Sequence, residues 1–167
     1  MTPRAILKFL LLAAALIYCV DAHPAQEPIP EDTLITLQRS TCFGTCPDYT
    51  LTISANGDVT FTGRFYVKVK DAKGKIGLTE LRELITAFER ASFFSLRNQY
   101  STKKDGCPEV WTDNPGVITS IRINGKSKTI SHYHGCQGGD GSYIYPKALT
   151  ELENRIDQIV DTAKWIK

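Results

Sequence analysis

The chain has 167 residues, of which 42% are apolar and 23% charged, and this composition predicts one globular domain rather than two domains or a disordered chain. Removing the first 22 residues takes Arg4, Lys8 and Asp21 from 20 basic and 18 acidic side chains, which leaves a net charge of +1. This charge excludes the strongly basic surface typical of nucleic-acid-binding proteins, so we expect no nucleic-acid partner.

The first 22 residues have the pattern of a signal peptide. Arg4 and Lys8 form a basic start, and residues 9–20 follow without a charge. This apolar run is too short to cross a bilayer as a helix, but it matches the apolar region of an export signal. Val20 and Ala22 stand at positions −3 and −1 of a cut after Ala22. We therefore expect a periplasmic or secreted protein whose mature chain, without a membrane span, begins at His23.

Cys19 permits a competing interpretation, in which the protein is anchored by a lipid on that cysteine. The peptidase that processes lipoproteins requires Gly, Ala or Ser before the modified cysteine, and this chain has Tyr18 there. The sequence therefore favours the interpretation in which Cys19 is removed with the signal peptide, while leaving lipid modification open.

The mature chain divides into an extended, proline-rich leader at residues 23–33 and a single domain at residues 34–167. In chain order, the domain is predicted to begin with a strand at Leu34–Arg39 and a hairpin of Tyr49–Ile53 with Val59–Val69. A helix from Gly77 to near Ser92 follows. The second half is predicted to contain a hairpin of Val117–Ile123 with Lys126–His134 and a last helix from Pro146 to Ile166. This order predicts an α+β fold, with an antiparallel sheet of about five strands and two helices packed on one face.

Glycine-containing turns predict how the two hairpins pair. With Gly57 in the left-handed conformation, a three-residue loop sets Ile53 opposite Val59 and gathers the apolar side chains on one face. Asn124-Gly125 predicts a two-residue type I′ turn in the second hairpin. That register places His132 on the apolar face of the sheet.

Four cysteines remain after the signal peptide, and an exported protein is expected to pair them as two disulfides. Four cysteines allow three connectivities, and the sequence alone does not choose among them. Joining Cys42 to Cys46 and Cys107 to Cys136 keeps both bridges local and avoids crossed loops. On a chain-entropy estimate these bridges stabilise the fold by roughly 2 and roughly 3.6 kcal/mol.

Redox activity at Cys42 and Cys46 is a weaker alternative. Catalytic cysteine pairs usually have two intervening residues at the start of a helix, which lowers the thiol pKa. Here three residues intervene, and the sequence after Cys46 leads into a strand.

Zinc binding at a cysteine–histidine cluster is the second alternative. His132 and His134 project to the same side of a strand, and Cys42, Cys46 and Cys136 supply further ligand types. Oxidation would remove the thiolates, and neither histidine has an acidic residue within five positions to orient its ring. We therefore expect no bound metal and no cofactor. Asp113 is the acidic residue that we group with the two histidines as an alternative polar site.

Hydrolytic and phosphate-binding motifs are missing from the sequence. It contains no nucleophile elbow, no His-Glu-x-x-His helix and no phosphate-binding loop, which favours a protein without catalytic residues. A run of lysines at positions 68, 70, 73 and 75 is interpreted as a soluble edge strand and loop. An alternative role for this run is the binding of an anionic envelope polymer or an acidic partner.

The cysteine motifs resemble those of a bacterial family, the domain of unknown function numbered 6438. The resemblance rests on Cys42-Phe-Gly-Thr-Cys46-Pro47-x-Tyr49, Trp111-Thr112-Asp113-x-Pro115, Asn124-Gly125-Lys126 and His132-Tyr133-x-Gly135-Cys136, and it extends from Leu34 to Val160. It implies export and a small α+β domain, but it assigns no catalytic residue.

These observations lead to two functional hypotheses. The first is a non-enzymatic binding or structural module of the bacterial envelope, with an envelope protein or polymer as its partner. The second is a metal- or thiol-dependent activity at the cysteine–histidine cluster.

Overall fold

A computed structural model of the chain describes residues 27–138 and 145–166. The predicted signal peptide, Cys19 and the first part of the leader lie outside the described residues. Asp140 and most of the glycine-rich stretch after Gly138 also lie outside them.

Nine strands and three α-helices are present in the described residues. The strands are β1 (Leu34–Arg39), β2 (Asp48–Ser54), β3 (Asp58–Phe65), β4 (Asp71–Lys75), β5 (Gln99–Tyr100), β6 (Glu109–Val110), β7 (Gly116–Ile123), β8 (Lys126–Tyr133) and β9 (Cys136–Gln137). The helices are α1 (Leu78–Arg90), α2 (Lys147–Val160) and α3 (Ala163–Ile166), with 3₁₀ turns at Phe93–Ser95 and Lys103–Asp105.

The main sheet has seven strands in the order β4-β3-β2-β1-β7-β8-β5, and β6 pairs with β9 in a separate ribbon. The α+β class is confirmed, but the sheet is larger than the predicted one and it is mixed, because β5 runs parallel to β8. The first strand lies at the centre, where it pairs antiparallel with β2 on one side and with β7 on the other.

Both hairpins have the predicted registers. Ile53 pairs with Val59 across a turn in which Gly57 has a φ of 83°. In the second hairpin Ile123 pairs with Lys126, and both Asn124 and Gly125 have the positive φ values of a type I′ turn.

The major helices cover one face of the main sheet. The apolar side chains of β1, β2, β3, β7 and β8 form the core on that face, and they include Ile35, Leu37, Leu51, Ile53, Phe61, Ile121 and Ile130. On α1, Phe88 lines a cavity together with Ile121. Glu153 of α2 accepts a hydrogen bond from Thr119 of β7. The opposite face carries half-buried or exposed threonine and serine side chains, among them Thr36, Thr52 and Thr60.

Two segments differ from the sequence-based prediction. The strand expected to reach Val69 ends at Phe65, and residues of the lysine run form β4 at the edge of the sheet. The single last helix is divided, because Asp161 adopts a φ of 56° between α2 and α3. This break turns Trp165 onto Phe61, with ring centroids 5.0 Å apart.

Within residues 27–138 and 145–166, no helix combines the length and the hydropathy that a membrane span requires.

Candidate functional site

The four described cysteines form two disulfides. Cys42 is joined to Cys46, and Cys107 is joined to Cys136, with Cα atoms 5.5 and 5.1 Å apart. In each bridge a cysteine is joined to the next cysteine along the chain, which is the local pairing that keeps the loops uncrossed. Because every one of these cysteines is oxidised, none supplies a thiolate to a metal ion or to a redox reaction in this state.

Backbone hydrogen bonds hold three loops together at one end of the sheet. The amide of Phe43 donates to the carbonyl of Asp113 at 3.0 Å, and the amide of Trp111 donates to the carbonyl of Gly135 at 2.8 Å. The amide of His134 donates to the carbonyl of Pro115 at 3.0 Å. We call this region, residues 40–47, 107–116 and 133–138, the disulfide end.

Aromatic side chains extend into solvent from two of these loops. Phe43, at the tip of the loop closed by Cys42 and Cys46, is 89% exposed, and Trp111 is 48% exposed. Val110 is also exposed beside Trp111. The Trp111 indole donates a hydrogen bond to Glu109 at 2.8 Å. We call Phe43, Val110 and Trp111 the aromatic loop surface.

Asp113 has a local role in the same loops. Its carboxylate accepts a hydrogen bond from the Thr112 hydroxyl at 2.9 Å, and its backbone has a φ of 70°. This side chain is exposed. The carboxylate that lies beside the histidines belongs to Glu153, not to Asp113.

His132 and Glu153 form a buried pair between β8 and α2. Each of these residues is only 1% exposed. Nδ1 of His132 lies 3.1 Å from Oε2 and 3.2 Å from Oε1 of Glu153. The Thr119 hydroxyl donates to Oε1 at 3.4 Å. Nε2 of His132 is buried and has no hydrogen-bond partner among the described residues.

His134 lies over this pair. Its ring centroid is 4.6 Å from that of His132, so the predicted placement of the two histidines on one side of the strand is correct. Tyr145 also packs against His132, with ring centroids 3.8 Å apart. Burial lowers the pKa of His134 to about 4, with smaller contributions from His132 and Arg39, so the imidazole is neutral at neutral pH.

Donor atoms of the two histidines and Glu153 lie within 4.8 Å of one another. We call these three residues the His–Glu cluster. Neither histidine has an acidic residue close to it along the chain. Glu153 is 21 positions from His132 and lies on α2. Its helix does contain a signal. Glu153 takes an inward position among the buried residues Leu149, Leu152 and Ile156, where an apolar residue is expected.

A second polar group lies one helical turn further along α2. Asp157 accepts hydrogen bonds from Arg39 at 2.7 Å, from the Tyr49 hydroxyl at 2.6 Å and from the Thr162 hydroxyl at 3.0 Å. Arg39 also donates to Asn154 at 3.2 Å. These bonds fix the position of α2 on β1 and β2, and they thereby fix Glu153 against His132.

No curated protein matches the sequence. Residues 33–160 match the family described as a domain of unknown function, DUF6438. This match spans all of the main sheet, both disulfides and the His–Glu cluster. The chain therefore belongs to the DUF6438 family.

Proposed function

We propose that this protein is an exported, non-enzymatic binding module that holds a protein partner of the bacterial envelope at its aromatic loop surface. The observation that carries this proposal is the 89% exposure of Phe43 at the tip of a disulfide-closed loop. Large aromatic side chains that a partner buries contribute a major share of the energy of protein interfaces.

The way in which the aromatic side chains are held supports the proposal. Phe43 lies in a five-residue ring closed by Cys42 and Cys46, and its amide is bonded to Asp113. The segment before Trp111 forms the β6–β9 ribbon, in which Val110 pairs with Cys136. Loops that are fixed before binding lose little conformational entropy when a partner docks, which increases the affinity of a small surface.

The polar groups around this surface support binding rather than catalysis. The carboxylates of Glu109 and Asp113 both accept hydrogen bonds from neighbouring side chains, Trp111 and Thr112. A carboxylate used in this way orders the loop that carries it. We therefore assign these acidic residues a structural role in presenting the surface.

Export is part of the proposal. The signal-peptide pattern of residues 1–22 supports cleavage after Ala22 and a periplasmic or secreted location, and two disulfides are typical of an oxidising compartment. Intact-mass analysis and N-terminal sequencing of the exported protein should show a start at His23. A mature chain that begins at a lipid-modified Cys19 would contradict both the cleavage site and the unanchored state.

Binding is tested with two double variants, each of which replaces two exposed apolar side chains by serine. In the first, Phe43→Ser and Trp111→Ser remove the aromatic loop surface. In the matched control, Leu78→Ser and Phe94→Ser remove exposed apolar side chains of α1 and of the following 3₁₀ turn. Each protein carries a photo-crosslinker at Thr45, is incubated with intact envelopes of the producing organism, and is analysed for crosslinked products.

The proposal predicts one discrete protein adduct with the wild type and with the control variant. Because the surface variant lacks both aromatic anchors, its yield of this adduct should be at least about tenfold lower, as expected when two interface hot spots are lost. Equal yields from all three proteins would refute the role of the surface. Co-sedimentation of the wild type with protein-free envelope polymer, without a protein adduct, would replace the protein partner by a polymer.

A further inference from the structure

We propose that the His–Glu cluster is a binding site for a divalent transition-metal ion, with His132 and His134 as nitrogen ligands and Glu153 as the carboxylate that orients His132. Imidazole nitrogens favour zinc, copper and nickel over magnesium and calcium. This inference is independent of the proposed partner surface, since it concerns a different set of side chains.

The first step is the state of His132. With Glu153 ionised, its carboxylate only accepts hydrogen bonds, so His132 donates to it from Nδ1. In a neutral imidazole the lone pair is then on Nε2. That atom is buried and lacks a hydrogen-bond partner among the described residues. A buried acceptor without a donor costs free energy, and a bound cation would satisfy it.

The second step is the arrangement around His132. The imidazole of His134 lies beside it, with ring centroids 4.6 Å apart, and offers a second nitrogen. Metal-bound histidines commonly donate their other ring hydrogen to a carboxylate, which fixes the ring and increases its basicity. The contact of both Glu153 oxygens with Nδ1 has this form.

The third step is charge. Arg39 lies on β1, two strands from β8 in the sheet, and its guanidinium is paired with Asp157 at 2.7 Å. Glu153 is the carboxylate of the His–Glu cluster, and its negative charge would compensate a cation bound there. A buried cation needs such a compensating charge.

The fourth step is access. His132 and Glu153 are buried, while His134 is half-buried at the disulfide end. An ion would enter from the side of His134. The remaining coordination positions would then be filled by water or by a ligand from the same side, as in metal sites with an open position.

The test uses mature protein that has been treated with a chelator and then titrated with zinc in competition with a chromophoric chelator. The variants are His134→Ala, Glu153→Gln and His23→Ala. His23 is the third histidine of the chain, and at a mature N-terminus it could bind metal by itself, so its variant is the control. Circular dichroism and the unfolding midpoint report whether each variant is folded.

We expect one zinc ion per chain in the wild type and in His23→Ala, and loss of this stoichiometric binding in His134→Ala. Glu153→Gln should bind zinc about 10–100-fold more weakly, the range for residues that orient a metal ligand. Absence of zinc binding by the wild type, unchanged binding by His134→Ala, or loss in His23→Ala alone would each overturn the proposal.

A second measurement does not depend on any variant folding. ¹⁵N–¹H correlation spectra of the wild-type imidazoles should show His132 with its hydrogen on Nδ1, and added zinc should shift the Nε2 resonance. A hydrogen on Nε2 in the metal-free protein, or an Nε2 resonance that zinc does not move, would refute the site. Repeating the titration with copper and nickel shows which ion the site prefers.

Discussion

Asp157 on α2 accepts a 2.7 Å hydrogen bond from Nε of Arg39 on the central strand, and this ion pair attaches the helix to the sheet. Both side chains are largely but not completely buried. Removal of the Asp157 carboxylate therefore leaves Arg39 with a charge that water only partly solvates. We expect Asp157→Ala to reduce the free energy of unfolding by about 2–3 kcal/mol, below the value for a fully buried pair.

The control for this experiment is Glu83→Ala, which breaks the exposed ion pair between Glu83 of α1 and Arg155 of α2. Exposed pairs contribute about 0–1 kcal/mol. Urea unfolding of both variants tests the prediction. If both variants lose the same free energy of unfolding, the charge of Arg39 does not need Asp157 as its partner.

Tyr49 should titrate abnormally because its hydroxyl is buried beside the same carboxylate. Burial, together with the neighbouring Asp157, raises the pKa of the Tyr49 hydroxyl well above its ordinary value of 10.0. A group whose pKa is raised by folding stabilises the protein fully below its unfolded pKa, and that stability is lost as the pH rises through the range above 10. Ultraviolet titration should show a late phenolate transition that Tyr49→Phe removes. Persistence of that transition in the variant would contradict the assignment.

The two disulfides should contribute unequally to stability. Paired replacement of Cys107 and Cys136 by Ser should cost about 2–5 kcal/mol, because this bridge is buried and closes a long loop. Paired replacement of Cys42 and Cys46 should cost about 2 kcal/mol, because their loop is short. Chemical denaturation of both double variants tests which bridge contributes more to the free energy of unfolding. A larger loss from the Cys42–Cys46 pair would contradict the loop-length argument.

Two turn glycines provide a matched test of backbone geometry. Gly57 and Gly125 have φ values of 83° and 70°, so alanine at either position is expected to cost about 1–2 kcal/mol in backbone strain. At Gly57 a Cβ would also overlap the carbonyl oxygen of Ile76, whereas the space around Gly125 is open. Gly57→Ala should therefore destabilise the protein by at least about 1 kcal/mol more than Gly125→Ala. Equal unfolding midpoints would refute this difference.

Local patterns were sufficient to predict the two hairpins. Their registers follow from turn glycines and from the alternation of apolar residues, as in the pairing of Leu51 with Phe61. The two-residue strand β5 was not predicted, since two residues have no periodicity and their pairing with β8 joins positions about thirty apart. Lys73 and Lys75 of the lysine run lie on the edge strand β4, as predicted, but the pairing of this strand with β3 was missed.

The polar site was predicted only in part. Alternation along β8 was enough to place His132 and His134 together. Asp113 was the acidic residue grouped with the histidines, whereas the carboxylate beside them is that of Glu153 on α2, which is distant in sequence. The sequence signal that was missed is Glu153 itself, a charged residue at an inward position of an amphipathic helix.

The central position of β1 has a consequence for the order in which the protein folds during synthesis. Strands β1 to β4 can pair as soon as they have been made, but the other edge of β1 has no partner until β7, some eighty residues later, is available. Until then a strand that ends up in the middle of the sheet has an exposed edge, and such edges pair readily with other chains. Nascent chains that pause between residues 76 and 116 should therefore be the species most prone to aggregate.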